Sequence, residues 1–308
     1  MDLDFISSTF GTTVRMFTPI LLASLGGAFT YHAGIINVAL EGLMLSSAFF
    51  SVVFSFITGS ATMGVLGGIL AAVILSILYS FFVSILKANN FAIGFALNIL
   101  VSSLTLYLMR IMFVGQNAFN SPKISSIKTL SIKTGNFFLD NFVFNFSLLT
   151  YISIILVFVC VYVIYKTSFG LRMRVSGESQ EALRTAGVKV GFIQFLSSII
   201  CGVFCGLAGA QLSLFNVRMF SRDMTGGRGF VALAAILIAR GKPKLILIIS
   251  FLFGLFDALS IKLQNENFPP QFALMLPYVM SIFVLFLFYL RARTKKQLKK
   301  KQEYDSLT

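Results

Sequence analysis

Four polar side chains could contact a dissolved molecule from within or beside long apolar segments: Asn37, Glu41, Asn98 and Asp257. An ionised group costs about 2.5–3.5 kcal/mol to insert into a membrane, so these side chains should face protein or a water-filled path. Glu41 follows Asn37 by four residues, the spacing that places two side chains on one helix face. The pair could hydrogen-bond a polar solute, or clamp the broken backbone after Ala33-Gly34. Carboxylates near helix ends often bind backbone amides, which favours the clamp.

The rest of the sequence offers little for catalysis. His32 is the only histidine, so neither a histidine-based proton relay nor a metal cluster can be built from it. The three cysteines lie in apolar segments without metal-ligand spacing. No Walker-type loop occurs, and Gly226–Gly229 is either a weak phosphate-binding sequence or a flexible connection. The sequence therefore predicts no catalytic site, no metal and no cofactor, and any ATP hydrolysis would need another polypeptide.

The elements that position these residues are membrane helices. Of the 308 residues, 57% are hydrophobic and only 12% charged, whereas a soluble domain averages about 25% charged residues. The net charge of +14 comes from basic residues at the ends of apolar segments and in the tail, which argues against nucleic-acid binding. The composition predicts an all-α, multi-pass membrane protein.

Crossing the hydrocarbon core takes about 20 apolar residues. Eight segments are predicted to cross: Met16–Thr30, Ile35–Thr58, Ala61–Leu86, Phe91–Phe113, Leu148–Tyr165, Gly191–Phe215, Leu245–Ile261 and Phe272–Leu290. A ninth apolar segment, Gly229–Ala239, is too short to span straight, and we expect a short tilted helix shielded by its neighbours, or part of a broken one. We expect nine crossings, with eight or ten as alternatives.

Basic residues concentrate in alternate connections and in the tail, which favours a cytoplasmic C-terminus. The N-terminal residues lack the basic region and cleavage site of a signal peptide. On this map residues 114–147 form an external loop, either a surface connector or part of a seat for an external binding protein. The basic tail, 291–308, is expected to bind anionic lipid.

Small residues recur every four positions in two segments: Gly202, Gly206 and Ala210 in one, and Gly67 with Ala71 and Gly68 with Ala72 in the other. Such stripes let membrane helices approach closely, where lipid supplies no hydrophobic drive. They predict close packing, with sliding of helices during transport as the alternative.

A charged island, residues 169–188, separates two apolar spans. Phe169-Gly170 is expected to end the first span. A short helix is predicted over Ser179–Ala186, with Gly187 in the left-handed conformation after it. Such a helix lies outside the bilayer and has no core of its own for Leu183 and Ala186, so it needs a partner. The alternative is a solvated loop with a frayed helical turn.

Three stretches give the chain a family resemblance: Gly26–Phe50, Phe169–Gly209 and Met224–Pro243, the last followed by Leu252–Gln264. The first contains Asn37 and the Leu-Glu-Gly-Leu-Met sequence around Glu41. Together they resemble the small permease subunits of bacterial ABC importers in the branched-chain amino acid, ribose and nucleoside group, and most of all the smaller nucleoside permease. Tyr31-His32 departs from the acidic-basic pair usual in that group.

The resemblance implies a type II importer-like permease domain over residues 1–290 in the bacterial cytoplasmic membrane, with a cytoplasmic coupling loop, 167–190, and a coupling helix. It implies a second, larger permease as heterodimer partner, an ATP-binding subunit and an external substrate-binding lipoprotein. The residues expected to contact the ATP-binding subunit are Arg174, Gly177, Glu178, Glu181, Ala182, Leu183, Ala186 and Gly187.

The resemblance also points to purine nucleosides as substrates, with riboflavin or a sugar such as ribose as alternatives. Phenylalanines, Asn37, Asn98 and many serines suit a neutral, flat, hydroxyl-bearing solute better than a strongly anionic one. A stand-alone secondary transporter is the alternative from another class. Such transporters often carry several carboxylates at a midplane ion site, and the apolar segments of this chain contain only Glu41 and Asp257.

Overall fold

The computed structural model describes residues 3–113, 118–127, 129, 146–265, 275, 279 and 286. Most of the predicted external loop, 114–147, lies outside these residues. The predicted last span, Phe272–Leu290, does too, apart from its three described positions. The predicted basic tail, 291–308, lies outside them entirely.

The described residues are almost entirely helical. The elements are α1 (Leu3–His32), α2 (Leu40–Thr58), α3 (Ala61–Ser80), α4 (Asn90–Met112), β1 (Ala118–Phe119), α5 (Leu148–Lys166), α6 (Ser168–Glu178), α7 (Gln180–Thr185), α8 (Val190–Ala210), β2 (Phe220–Ser221), α9 (Arg228–Ala239) and α10 (Pro243–Asn265). A π-helical turn extends α3 over Phe81–Ile85 and another extends α8 over Gln211–Val217. The two short strands pair antiparallel.

Helix α1 lies at the centre and packs against α5, α8, α9 and α10. Its residues Ile20, Leu21 and Leu22 are fully buried. The helix is longer than the predicted first span, which began at Met16. The Thr12 and Thr13 hydroxyls donate to backbone carbonyls four residues earlier, so this polar start continues the helix.

Six helical segments among the described residues are long and apolar enough to cross a membrane: Leu40–Thr58, Ala61–Ile85, Asn90–Met112, Leu148–Lys166, Val190–Val217 and Pro243–Gln264. The chain is therefore a multi-pass membrane protein. The 30-residue helix α1 is not among the six by composition, and nine crossings stay a prediction.

The predicted small-residue stripes pack α3 between α2 and α8. A Cβ added to Gly206 would lie 2.6 Å from the Ile69 Cα, and one added to Gly202 would lie 2.8 Å from the Ser76 Cβ. On the other side of α3, Gly68 approaches the hydroxyls of Ser47 and Ser51. The stripes thus place backbones in close contact, which confirms their predicted packing role.

Helix α9 is the short apolar helix that the sequence predicts, and it begins within one residue of the predicted start. Its 12 residues extend about 18 Å, less than the hydrocarbon thickness. It packs against α1, α2 and α10, which shield it. The connection before it, 218–227, turns sharply, with positive φ at Arg218, Asp223, Gly226 and Gly227.

The charged island folds differently from the prediction. Span α5 ends at Lys166, and Phe169-Gly170 belongs to a second helix, α6. The reason is Thr167. Its extended backbone interrupts the helix, and its hydroxyl accepts a hydrogen bond from the Gly170 amide (3.1 Å) at the start of α6. The island therefore contains two helices, α6 and α7.

Candidate functional site

Glu41 joins two helix beginnings. It lies in the first turn of α2, and its carboxylate accepts hydrogen bonds from two amides at the start of α9, Gly227 N (2.9 Å) and Gly229 N (2.6 Å). The first amides of a helix have no partners within it, and the helix dipole favours a negative charge there. We call this contact the Glu41 clamp. The clamp holds the break before α9, not the predicted break between the first two spans.

Gly229 permits the approach on which the clamp depends. A Cβ at this position would lie 2.5 Å from both the Cα and the N of Glu41, so only glycine fits. Both amides are occupied by the carboxylate, which leaves the Gly226–Gly229 sequence without free amides for a phosphate at those two positions. The flexible-connection interpretation of this sequence agrees better with the structure.

The break between α1 and α2 is held by two asparagines. The Asn98 Oδ1 accepts from Gly42 N (2.8 Å), and its Nδ2 donates to the Val38 carbonyl (3.0 Å). Asn37 is buried and its Oδ1 accepts from Ala39 N (2.9 Å). Asn37 precedes the first residue of α2, so the predicted shared helix face of Asn37 and Glu41 is wrong.

Asp257 of α10 lies on the other side of the α9 beginning. Its Oδ2 is 3.2 Å from the Nε of Arg228, and both side chains are mostly buried, with 12% and 21% exposed. Arg228 also donates to the Thr225 carbonyl (3.3 Å). A buried carboxylate needs such a partner. Arg228 therefore has a structural role that the sequence analysis did not predict. Its position between Gly227 and Gly229 was the available signal for that role.

Three of the four predicted pathway residues thus contact the starts of two helices, α2 and α9. Glu41 and Asp257 flank residues 227–229, while Asn98 holds the residues on either side of the α2 start. The fourth residue, Asn37, has its side-chain amide nitrogen 3.5 Å from the Cys201 sulfur of α8. We call this set the helix-break network. Its polar atoms mainly hold backbone breaks, and both acids have partners within the chain.

Asn98 supplies a first test of the network. We expect Asn98→Leu to lower stability by about 1–3 kcal/mol, because a backbone amide and a carbonyl lose their partner. Asn98→Asp keeps only the acceptor and should fall in between. The measurement is thermal unfolding of the purified protein, with Ser103→Leu, an exposed change on the same helix, as the control. Equal stability of Asn98→Leu and the control would contradict this role.

The predicted coupling residues fall into two groups. Helix α7 is capped by Ser179, whose hydroxyl accepts from Ala182 N (3.3 Å), and Gly187 after it has the predicted positive φ of 75°. Glu178, Glu181, Ala182, Ala186 and Gly187 are exposed. Leu183 is only 4% exposed and packs in the main core of this chain. This chain itself therefore provides the buried surroundings for Leu183 that the sequence analysis expected a partner protein to provide.

Arg174 and Gly177 also serve internal contacts. The Arg174 guanidinium lies 5.3 Å from the centre of the Tyr165 ring. Gly177 approaches the backbone of His32 and Gly34 too closely for a side chain. The neighbouring Ser176 hydroxyl donates to the Ala33 carbonyl (3.2 Å). Helix α6 is therefore fixed to the connection that precedes α2 and its Glu41.

His32 links that connection to the turn after α9. Its Nε2 lies 3.0 Å from the accepting carbonyl oxygen of Gly241. Burial lowers the pKa of His32 below its ordinary value, more than the Gly241 hydrogen bond raises it, so the ring is neutral at pH 7. Hydrogen bonds thus join α6, the connection before α2 and the turn after α9.

The comparisons with known proteins agree with this architecture. The family described as "Branched-chain amino acid transport system / permease component" matches residues 9–285. The chain belongs to this permease family. The permease is 32% identical over 297 residues to the nucleoside ABC transporter permease NupC of Lactococcus lactis subsp. cremoris, covering 91% of each chain. It is 29% identical over 294 residues to the guanosine ABC transporter permease NupQ of Bacillus subtilis, covering 90% of this chain and 91% of that one.

A third relative has another assigned substrate. The permease is 29% identical over 267 residues to TsgC13 of Haloferax volcanii, an ABC transporter permease provisionally named for glucose, covering 85% of this chain and 80% of that one. No solved structure matches the chain. The permease is therefore a non-catalytic membrane component of an ABC transporter.

Proposed function

We propose that the permease forms half of the translocation path of an ATP-driven importer for purine nucleosides in a bacterial cytoplasmic membrane. The observation that carries this proposal is the similarity, across about nine-tenths of the chain, to permeases named for nucleosides and for guanosine. The helix-break network is consistent with a neutral substrate. Its two carboxylates are held by backbone amides and by Arg228, so both already have partners within the chain.

The proposed partners are a second, larger permease, an ATP-binding subunit and an external substrate-binding lipoprotein. The chain carries no Walker sequence of its own, so the energy of ATP must reach it through a contact. We assign that contact to the exposed side of α6–α7, chiefly Glu178, Glu181, Ala182, Ala186 and Gly187. A push on α6 would pass through Ser176 to the connection before α2, and so toward the Glu41 clamp.

Two other functions have specific support. Transport of a sugar is favoured by the similarity to the Haloferax permease. Riboflavin is flat and polyhydroxylated like a nucleoside, so the same chemistry would suit it. A secondary transporter is disfavoured, because both carboxylates of the helix-break network already have partners and leave no free acid there for a coupling ion.

Competition for uptake tests the substrate. The complex is reconstituted in vesicles, and labelled guanosine uptake is measured with excess adenosine, inosine, ribose, glucose or riboflavin. We expect inhibition by the nucleosides alone, because a pathway built for a base and its sugar gains little from the sugar by itself. Absence of guanosine uptake, together with uptake of labelled riboflavin or glucose by the same vesicles, would assign the permease to that other substrate.

A further inference from the structure

Two phenylalanine rings stand beside the helix-break network. Phe95 of α4 and Phe230 of α9 have centroids 6.2 Å apart and planes inclined by 29°, so the rings are stacked. Both remain accessible, with 51% of Phe95 and 38% of Phe230 exposed. The phenylalanines of the core are buried by comparison, and Phe49, for example, is only 1% exposed.

The network fixes where these rings stand. Phe95 precedes Asn98 by less than one helical turn, and Phe230 directly follows Gly229, whose amide binds Glu41. Helix α2 packs against both α4 and α9 and lies between them. One turn beyond Asn98, the Ser102 hydroxyl donates to the Asp223 Oδ1 (2.6 Å), which ties α4 to the connection before α9. The two rings therefore contact each other where α4 and α9 approach, and they form one exposed aromatic surface.

This aromatic surface lies beside polar groups along the same helix. Phe95 and Asn98 lie on one face of α4, and Ser102 lies a further turn along it. The Asp223 side chain is half-exposed; its Oδ1 accepts from Ser102 and its Oδ2 lies 3.4 Å from the Nε of Arg222. Each carboxylate oxygen has a second lone pair, which can accept a further hydrogen bond. Stacking on an aromatic ring needs no charge and tolerates any base, whereas hydroxyls of a sugar need acceptors.

We infer that Phe95 and Phe230 form the stacking surface for the base of the transported nucleoside, and that Asp223 accepts from hydroxyls of its sugar. This inference rests on the proposed function and names the part of the pathway that recognises the base. It predicts that several purines are accepted, because a phenyl face contacts the flat ring system of the base and not its substituents.

The test measures the concentration dependence of guanosine uptake by the reconstituted complex. Phe95→Leu and Phe230→Leu keep an apolar side chain without the ring, and each is expected to raise the half-saturating concentration by about 5- to 100-fold, the range that loss of one stacked base implies. Phe95→Tyr keeps the ring and should stay within about 2-fold of the unaltered complex. Phe158→Leu, a change at a 66% exposed position on α5, is the control.

The outcomes separate the inference from the proposed function. Guanosine uptake with an unchanged half-saturating concentration in both leucine variants would overturn the inference alone. The inference would also fail if the leucine variants assembled poorly while the complexes that did form had an unchanged half-saturating concentration. That result would assign the rings to the contact with the second permease. Absence of any nucleoside uptake by the unaltered complex would overturn the proposed function and the inference together.

Discussion

Glu41→Leu is expected to lower the stability of the permease by about 3–6 kcal/mol, because two charge-assisted hydrogen bonds to backbone amides are lost together. The amides of Gly227 and Gly229 would have no other partner, and the leucine would still occupy the space beside them. Thermal unfolding of the purified protein measures the loss. Glu181→Leu, at an exposed position on α7, is the matched control and should change little.

Glu41→Gln gives a graded result. Sequence reasoning alone predicts near-normal function, because an amide still both accepts and donates. The structure corrects this expectation, since both carboxylate oxygens accept and the NH₂ group would face a backbone N–H. We expect Gln to lose about half of the stability that Leu loses. If the Leu variant is as stable and as active as the unaltered protein, the Glu41 clamp has no structural role.

The second large effect concerns coupling. Ala182→Asp and Ala186→Asp should each lower ATP-driven uptake by more than about 100-fold, because an unpaired charge in an apolar contact costs several kcal/mol. Ala182 lies in α7 and Ala186 directly follows it, and both are exposed, so the folded protein should tolerate both changes. Uptake and thermal unfolding are measured on the same preparations.

Two comparisons make the coupling test specific. Ala186→Asn adds nearly the same volume as Ala186→Asp without the charge and should keep most of the uptake. Leu183→Asp is expected to disrupt the packing of α7, because Leu183 is buried within this chain and not at a free surface. Full uptake by both aspartate variants at Ala182 and Ala186 would show that the ATP-binding subunit docks elsewhere.

Local signals made parts of the fold predictable from the sequence. Apolar length located the membrane helices, small-residue spacing identified the tight packing of α3 against α8, and Gly187 marked the end of α7. Each of these three signals can be recognised from residues close together in the sequence or from a single residue type. The break at Thr167 was missed, because a threonine that caps a helix looks like any other polar residue in a charged segment.

The site was harder to predict, because its contacts are distant in sequence. The sequence marks Glu41, Asn98 and Asp257 as costly to bury, which brought them into consideration. It cannot indicate that Glu41 binds amides 186 and 188 residues away, or that Arg228 neutralises Asp257. These pairings arise from the packing of α9 between α2 and α10. The burial of Leu183 within this chain was unpredictable for the same reason, since only the folded chain shows which apolar side chains already have partners.

Nucleoside-stimulated ATP hydrolysis by the purified complex tests the central claim most directly. The permease is assembled in lipid with its second permease and its ATP-binding subunit, and the external binding protein is added with or without guanosine. We expect guanosine to increase ATP hydrolysis, and Ala186→Asp in this chain to abolish the increase while the complex stays assembled. Guanosine accumulation in vesicles containing this chain alone, driven by a proton or sodium gradient without ATP, would contradict the claim.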